Sequence, residues 1–207
     1  MRGSVLFVCS ANVCRSPLMQ HAFLESVTHA TDWDVASAGV SARAGAPPCD
    51  LALSFIRTDD AHALASKHRA AQLDRDLLKA ELVIVASRAE RASIAQLAPE
   101  LRWRVFTLSE AVYLGRSTAP RYPGEPAQPG TVNQYAQLLD AQRGMLVLPR
   151  ARNQRRYLNT REQPHPLDIP DGHHLRRGAH AKALKRVRTE ITEFATQLSD
   201  FQDASEQ

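Results

Sequence analysis

The sequence predicts an α/β fold: a single domain with a four-stranded parallel sheet flanked by helices. Three observations carry that expectation. Four short apolar runs, Val5–Val8, Asp34–Ala38, Leu82–Ala86 and Arg104–Thr107, read as strands covered on both faces. Helical spacing fills the stretches between them, the pattern of βαβ units. The chain has 207 residues, 43% of them apolar and 23% charged, which suits one soluble domain with its own core.

Each element has a local reason. The apolar stretch Val5–Cys9 is too short for a signal-peptide core and runs into polar residues and Arg15, so it reads as a buried strand. A helix is expected from Pro17 to Ala30. Pro17 suits its first turn, where a missing N–H costs nothing, and Leu18, His21, Ala22 and Val27 give it an inward stripe. A second helix is expected after Pro47-Pro48. Further helical segments are Asp74–Lys79, Arg88–Leu97 and Val132–Arg143. The last helix, Leu175 to Leu198, carries Ala179, Ala183, Leu184, Val187, Ile191, Phe194 and Leu198 at helical spacing, a core-facing stripe. Residues 116–166 read as an extended, partly mobile insertion, rich in proline and glycine between Pro120 and Gly130. The whole chain, 1–207, is expected to be one domain.

Composition excludes several classes. No run of 18 apolar residues is present, so no membrane span is expected. Three cysteines, Cys9, Cys14 and Cys49, make no even disulfide framework and fit a reducing cytoplasm. No Cys/His group has zinc spacing, so neither a metal nor a cofactor is expected. Net charge is +4, and Arg176, Arg177, Lys182, Lys185, Arg186 and Arg188 cluster without an acid among them. The plain reading is a solvated helix face, and without a reading motif nucleic acid is not an expected partner. Alanine- and arginine-rich usage hints at a bacterial source.

The informative segment is Val8-Cys9-Ser10-Ala11-Asn12-Val13-Cys14-Arg15-Ser16-Pro17. It reads as a strand, a tight loop and a helix start, the place where open α/β sheets bind ligands. Backbone N–H groups of Ser10, Ala11, Asn12, Val13, Cys14, Arg15 and Ser16 can converge on an oxyanion such as inorganic phosphate. Arg15 adds paired charge-assisted hydrogen bonds. Cys9 lies under the same centre, where a thiolate is favoured. Ser16 can donate to that sulfur. Asn12 tolerates left-handed backbone angles and can brace the loop. Cys14 is a candidate redox partner that would protect Cys9 from over-oxidation. Cys49 reads as a helix packing residue. The segment lacks the G-x-x-x-x-G-K-[ST] pattern of nucleotide loops.

This loop resembles the signature of the low-molecular-weight protein tyrosine phosphatases. Trp33–Gly39, His68–Leu73, Leu77–Ala86 and Leu167–Asp171 resemble further segments of that family. The resemblance implies a flavodoxin-like three-layer sandwich, with the extended loop region lying before the general-acid loop. It implies hydrolysis of phosphotyrosine and other aryl phosphates through a cysteinyl-phosphate, on a phosphotyrosine protein substrate. Cys9 would be the nucleophile, Arg15 the phosphate clamp and Asp171 the general acid, with Asn12, Ser37 and His68 bracing the loop. Asp168 is the other carboxylate within the same stretch. The sequence departs from the family at Gly172-His173-His174, where members usually carry proline and then aromatic residues. Ala11 replaces a usual glycine. Two alternative functions share the loop: an arsenate reductase that relies on external thiols, and a phosphate- or phosphotyrosine-binding module with little turnover. An arginine phosphatase is disfavoured, because those relatives carry threonine where Val13 stands.

Overall fold

The computed structural model describes residues 2–116, 130–146, 165–173 and 176–203. Four parallel strands, β1 (Gly3–Cys9), β2 (Trp33–Gly39), β3 (Leu82–Val85) and β4 (Val105–Thr107), form one sheet in the order β2-β1-β3-β4. Successive β1 residues face opposite layers. Val5, Phe7 and Cys9 join one core, and Leu6 and Val8 join the other. This is why the strand carries an unbroken apolar run instead of alternating. β1 has β2 on one side and β3 on the other, so the chain leaves its carboxyl end where the winding direction reverses.

One layer holds α1 (Arg15–Ser26), α5 (Leu108–Gly115), α6 (Val132–Gln142) and α7 (Arg177–Asp203), packed on the core that contains Phe7, Ile84 and Phe106. The other layer is thinner. Ile94 of α4 (Arg88–Leu97) covers it with Leu73, Leu78 and Ala98. Two short helices, α2 (Asp50–Leu53) and α3 (Asp59–Ser66), lie beside α1. α7 fixes the first layer through Leu184, Val187, Ile191, Phe194 and Leu198, all fully buried. Each such side chain stabilises by roughly 1.5–3 kcal/mol, enough to order a helix whose other face is polar. Arg188 of α7 donates to Glu25 of α1 at 2.6 Å, and both side chains are buried. At the far end Arg2 donates to Asp203 at 2.7 Å, and Gln202 donates to the Arg2 carbonyl at 2.7 Å.

Several expectations shift. α1 stops at Ser26, because Val27 is already extended (φ −92°, ψ 146°). Asp74–Lys79 is not a helix but a single 3₁₀ turn over Leu77–Lys79, with Asp74 accepting from the Leu77 N–H at 2.9 Å. The second expected helix is two, α2 and α3, split by Ser54–Thr58. α5 was not expected. Its signal is a capping box, Thr107-x-x-Glu110, with both reciprocal hydrogen bonds formed. Of the region 116–166, residues 130–146 pack firmly: Val132, Tyr135, Ala136 and Leu139 of α6 are fully buried. Residues 117–129 and 147–164, with most of the expected insertion, lie outside the described residues, as does His174. In the basic stretch, Arg186 and Arg188 serve the fold. Arg186 holds Glu190, Ser109 and the carbonyls of Pro166 and Asp168, and Arg176, Arg177, Lys182 and Lys185 are exposed. No helix among the described residues is long and apolar enough to cross a membrane.

Candidate active site

β1 ends at Cys9 and α1 begins at Arg15, so residues 10–14 must turn the chain within one loop. Asn12 makes this possible. It takes a left-handed backbone (φ 54°), which asparagine adopts at low cost. Its polar atoms are all engaged. Its N–H donates to Cys9 Sγ at 3.3 Å, and its carbonyl accepts from His68 Nε2 at 2.9 Å. Nδ2 donates to Ser16 Oγ at 2.9 Å and to Ser37 Oγ at 3.0 Å. Oδ1 accepts from the Ala71 N–H at 2.8 Å. Ser37 in turn donates to Gln20 Oε1 at 2.6 Å. Thus Asn12, Ser37 and His68 meet at the loop, joined by Gln20 and Ala71, which sequence reasoning did not single out. Burial holds the His68 imidazole below the ordinary histidine range, although the hydrogen bond to Asn12 opposes it.

Gly39 forms the wall behind the loop. A Cβ there would lie 2.5 Å from the Ser10 carbonyl oxygen and 2.8 Å from the Asn12 nitrogen. Only glycine allows β2 to end this close to the loop. Val40 and Ser41 then donate their N–H groups to the carbonyls of Cys9 and Ser10.

Cys9 is buried, with Ser16 Oγ 3.1 Å from its sulfur. Ser16 has one proton and two acceptors in reach, Cys9 Sγ and the Ala38 carbonyl at 3.3 Å. An ionised sulfur draws that proton, because a charge-assisted hydrogen bond is the stronger. Arg15 is 4% exposed. Its Nη1 donates to the Ile169 carbonyl at 3.1 Å, and Nη2 donates to Asp171 Oδ2 at 2.8 Å and lies 3.4 Å from Glu90 Oε1. The guanidinium has five N–H donors, more than these contacts use. Glu90 is a further residue that the sequence reading missed. Its buried carboxylate, which accepts from Ser87, backs Arg15 from α4. Ser87-x-x-Glu90 at a helix start reads as a capping pair, and this conceals the second role.

The two candidate acids separate cleanly. Asp168 accepts from the Arg88 N–H, Nε and Nη2 at 2.9–3.3 Å, on the side of α4. Burial raises its carboxyl, but the hydrogen bonds and charge of Arg88 outweigh this and hold it below the usual range. Asp171 instead pairs with Arg15 and accepts from the His173 N–H at 3.0 Å, with its side chain 37% exposed at the rim. The Ile169 N–H, bonded to the Ala86 carbonyl at 2.9 Å, seats this segment on the end of β3.

Cys14 is buried beside Cys49, and burial, reinforced by that second thiol, pushes the Cys14 thiol far above the ordinary cysteine range. Cys49 does pack against the core, and its N–H donates to the Val13 carbonyl at 2.7 Å. No Cys/His group has zinc spacing along the chain, yet folding brings four such side chains together. Cys14, Cys49, His173 and His180 each offer a ligand atom within 4.8 Å of the others. Spacing along the chain reveals only ligands that are close in sequence.

A parallel α/β sheet with Cys9 and a buried Arg15 on one loop at its switch point defines a phosphate-handling protein of the cysteine-dependent class. Residues 4–123 match the model of the low molecular weight phosphotyrosine protein phosphatases, and the chain belongs to that family. A probable low molecular weight protein-tyrosine-phosphatase, EpsP of Ralstonia nicotianae, is 33% identical over 112 residues, covering 53% of this chain and 73% of that protein. Low molecular weight protein-tyrosine phosphatase A of Mycobacterium bovis is 33% identical over 100 residues, 46% of this chain and 60% of that one. A crystal structure of a low molecular weight phosphotyrosine phosphatase from Vibrio cholerae O395 covers 96% of this chain and 95% of its own, with a TM-score of 0.55 at 16% identity, a likeness of fold.

Proposed function

We propose that this protein hydrolyses phosphotyrosine and similar aryl phosphate monoesters through a cysteinyl-phosphate, with Cys9, Arg15 and Asp171 carrying the chemistry. One observation supports this most: within one loop the Cys9 sulfur is held by Ser16 and Asn12 at 3.1–3.3 Å, and the Arg15 guanidinium pairs with the Asp171 carboxylate at 2.8 Å. The backbone N–H groups from Ser10 to Ser16 and the Arg15 fork would hold the three non-bridging oxygens. The Cys9 thiolate attacks phosphorus as the aryl oxygen departs with a proton from Asp171. Water then attacks the thiophosphate while Asp171 takes a proton from it. Phosphate leaves, and the Ser16 hydroxyl stabilises the sulfur as a thiolate again. Asp168 is fully engaged with Arg88, which supports Asp171 as the acid.

The substrate is proposed to be a phosphotyrosine-bearing protein, in the reducing cytoplasm that the three free cysteines suit. The test is metal-free hydrolysis of an aryl phosphate by wild type and Cys9→Ser side by side. Wild type should turn over. Cys9→Ser should lose at least about 10³-fold in rate, the scale for removing a nucleophile. Asp171→Asn should lose roughly 10²-fold or more, with the largest loss for poor leaving groups, because those need the proton most. Phosphate binding without turnover in wild type would make the protein a binding module instead.

A further inference from the structure

Four side chains that the phosphatase reaction does not use meet beside the loop. They come from four separate segments: Cys14 before α1, Cys49 before α2, His173 after Asp171, and His180 in the first turn of α7. One ligand atom from each lies within 4.8 Å of the other three. Two thiols and two imidazoles are the donor set of tetrahedral zinc sites. With Zn–S near 2.3 Å and Zn–N near 2.0–2.1 Å, such donors stand roughly 3.3–3.8 Å apart, so closing this set asks for movements of about an ångström.

A second observation points the same way. His180 is 8% exposed, and its Nε2 is buried with no hydrogen-bond partner among the described residues. A buried ring nitrogen without a partner costs free energy unless something coordinates it. Gly172 adds to this. A Cβ at that position would lie 2.5 Å from His180 Cδ2 and 2.6 Å from His180 Cα. The glycine therefore lets the loop close onto His180 and brings the His173 ring to 5.4 Å from it, centroid to centroid. An open groove of about 470 Å³, lined by Asp50, Leu51, Ser54 and Arg177, reaches His180.

We propose that Cys14, Cys49, His173 and His180 bind one zinc ion. Binding turns two thiols into thiolates and releases two protons. With two neutral imidazoles the centre then carries no net charge. The ion joins the phosphate loop, the turn into α2, the Asp171 loop and α7 at one point. It also removes Cys14 from the thiols available to Cys9.

The test uses the untagged full chain, reduced and stripped with a chelator, and titrated with Co²⁺ and then Zn²⁺. One equivalent of Co²⁺ should give the intense visible bands of tetrahedral coordination and a thiolate charge-transfer band, and Zn²⁺ should bleach both. Cys49→Ser and His173→Ala should each weaken Zn²⁺ binding by at least about 100-fold. His173 is exposed, so its variant should fold, and circular dichroism of both metal-free variants checks this. Weak octahedral cobalt bands, or unchanged affinity in a folded variant, would overturn the proposal. So would a reduced chain that takes up no zinc and merely forms a Cys14–Cys49 disulfide on oxidation. None of these outcomes bears on the Cys9→Ser assay, which contains no metal.

Discussion

His21 shows how the neighbourhood of the site reaches into stability. It sits on the buried face of α1, its ring 6.3 Å from that of His68, with Nε2 buried and without a hydrogen-bond partner among the described residues. Burial first, then the nearby His68, lowers it from 6.5 to about 4, against a small opposing effect of Glu25. The unfolded chain therefore binds a proton below pH 6.5 that the native state refuses. Stability is whole above pH 6.5, falls as the pH drops through that value, and levels off below about 4. The full loss from this residue is up to roughly 3 kcal/mol. His21→Leu should flatten the acid limb of stability against pH, with a change at neutral pH below about 1.5 kcal/mol. Denaturant titrations at several pH values check it; an unchanged slope between pH 6.5 and 4 would refute the assignment. At this scale the sequence was partly legible. Cys9, Arg15, Ser16 and Asn12 share one short segment, so the chemistry proposed for them could be read directly. Glu90 and Gly39 could not. Glu90 looks like a helix cap, and the reason for Gly39 is a backbone contact with Ser10–Asn12, far earlier in the chain.

At the scale of elements, the loop from Leu167 to Asp171 is held by one carboxylate and aims the other. Asp168 locks it to the start of α4 through Arg88, and Arg186 of α7 holds the Asp168 and Pro166 carbonyls from the other side. Asp171 is left at the rim beside Arg15. Asp168→Asn should thus cost about 1 kcal/mol in stability, since the pair is partly exposed and screened. Its rate should fall by a similar factor for good and poor leaving groups, in contrast to Asp171→Asn. A leaving-group series with both variants, alongside denaturant melts, separates the two. Should Asp168→Asn penalise poor leaving groups selectively, the acid would be assigned to the wrong carboxylate. The helices were legible where apolar spacing was long, as in α7. α5 was hidden because it is only eight residues long, runs straight on from β4 and is nearly all buried, so its cap is its clearest signal. The split of α2 from α3 is likewise invisible in composition: Glu25 of α1 accepts the N–H groups of Arg57 and Thr58 and fixes the break from outside.

At the scale of the molecule, the parallel sheet was legible because burial on both faces leaves continuous apolar runs. The zinc-type cluster was not, because its four donors converge only when the sheet, α2 and α7 are all in place. The same holds for the closed circuit that α7 makes with the segment from Arg2 to Arg15, which contains β1. At one end Arg2 grips Asp203 and Gln202 grips Arg2; at the other, Arg15 grips the segment that leads into α7. Neither element can open without breaking contacts of the other. In native-state hydrogen exchange this has a definite meaning. The central amides of β1 and α7 should exchange last and together, with one common opening free energy equal to that of global unfolding. Those of α3, where only Ala65 is buried, should exchange far earlier. The strand that ends at Cys9 and the helix that follows Asp171 would then be a single cooperative unit, so that no partial opening separates Cys9 from Asp171 while the rest of the fold survives.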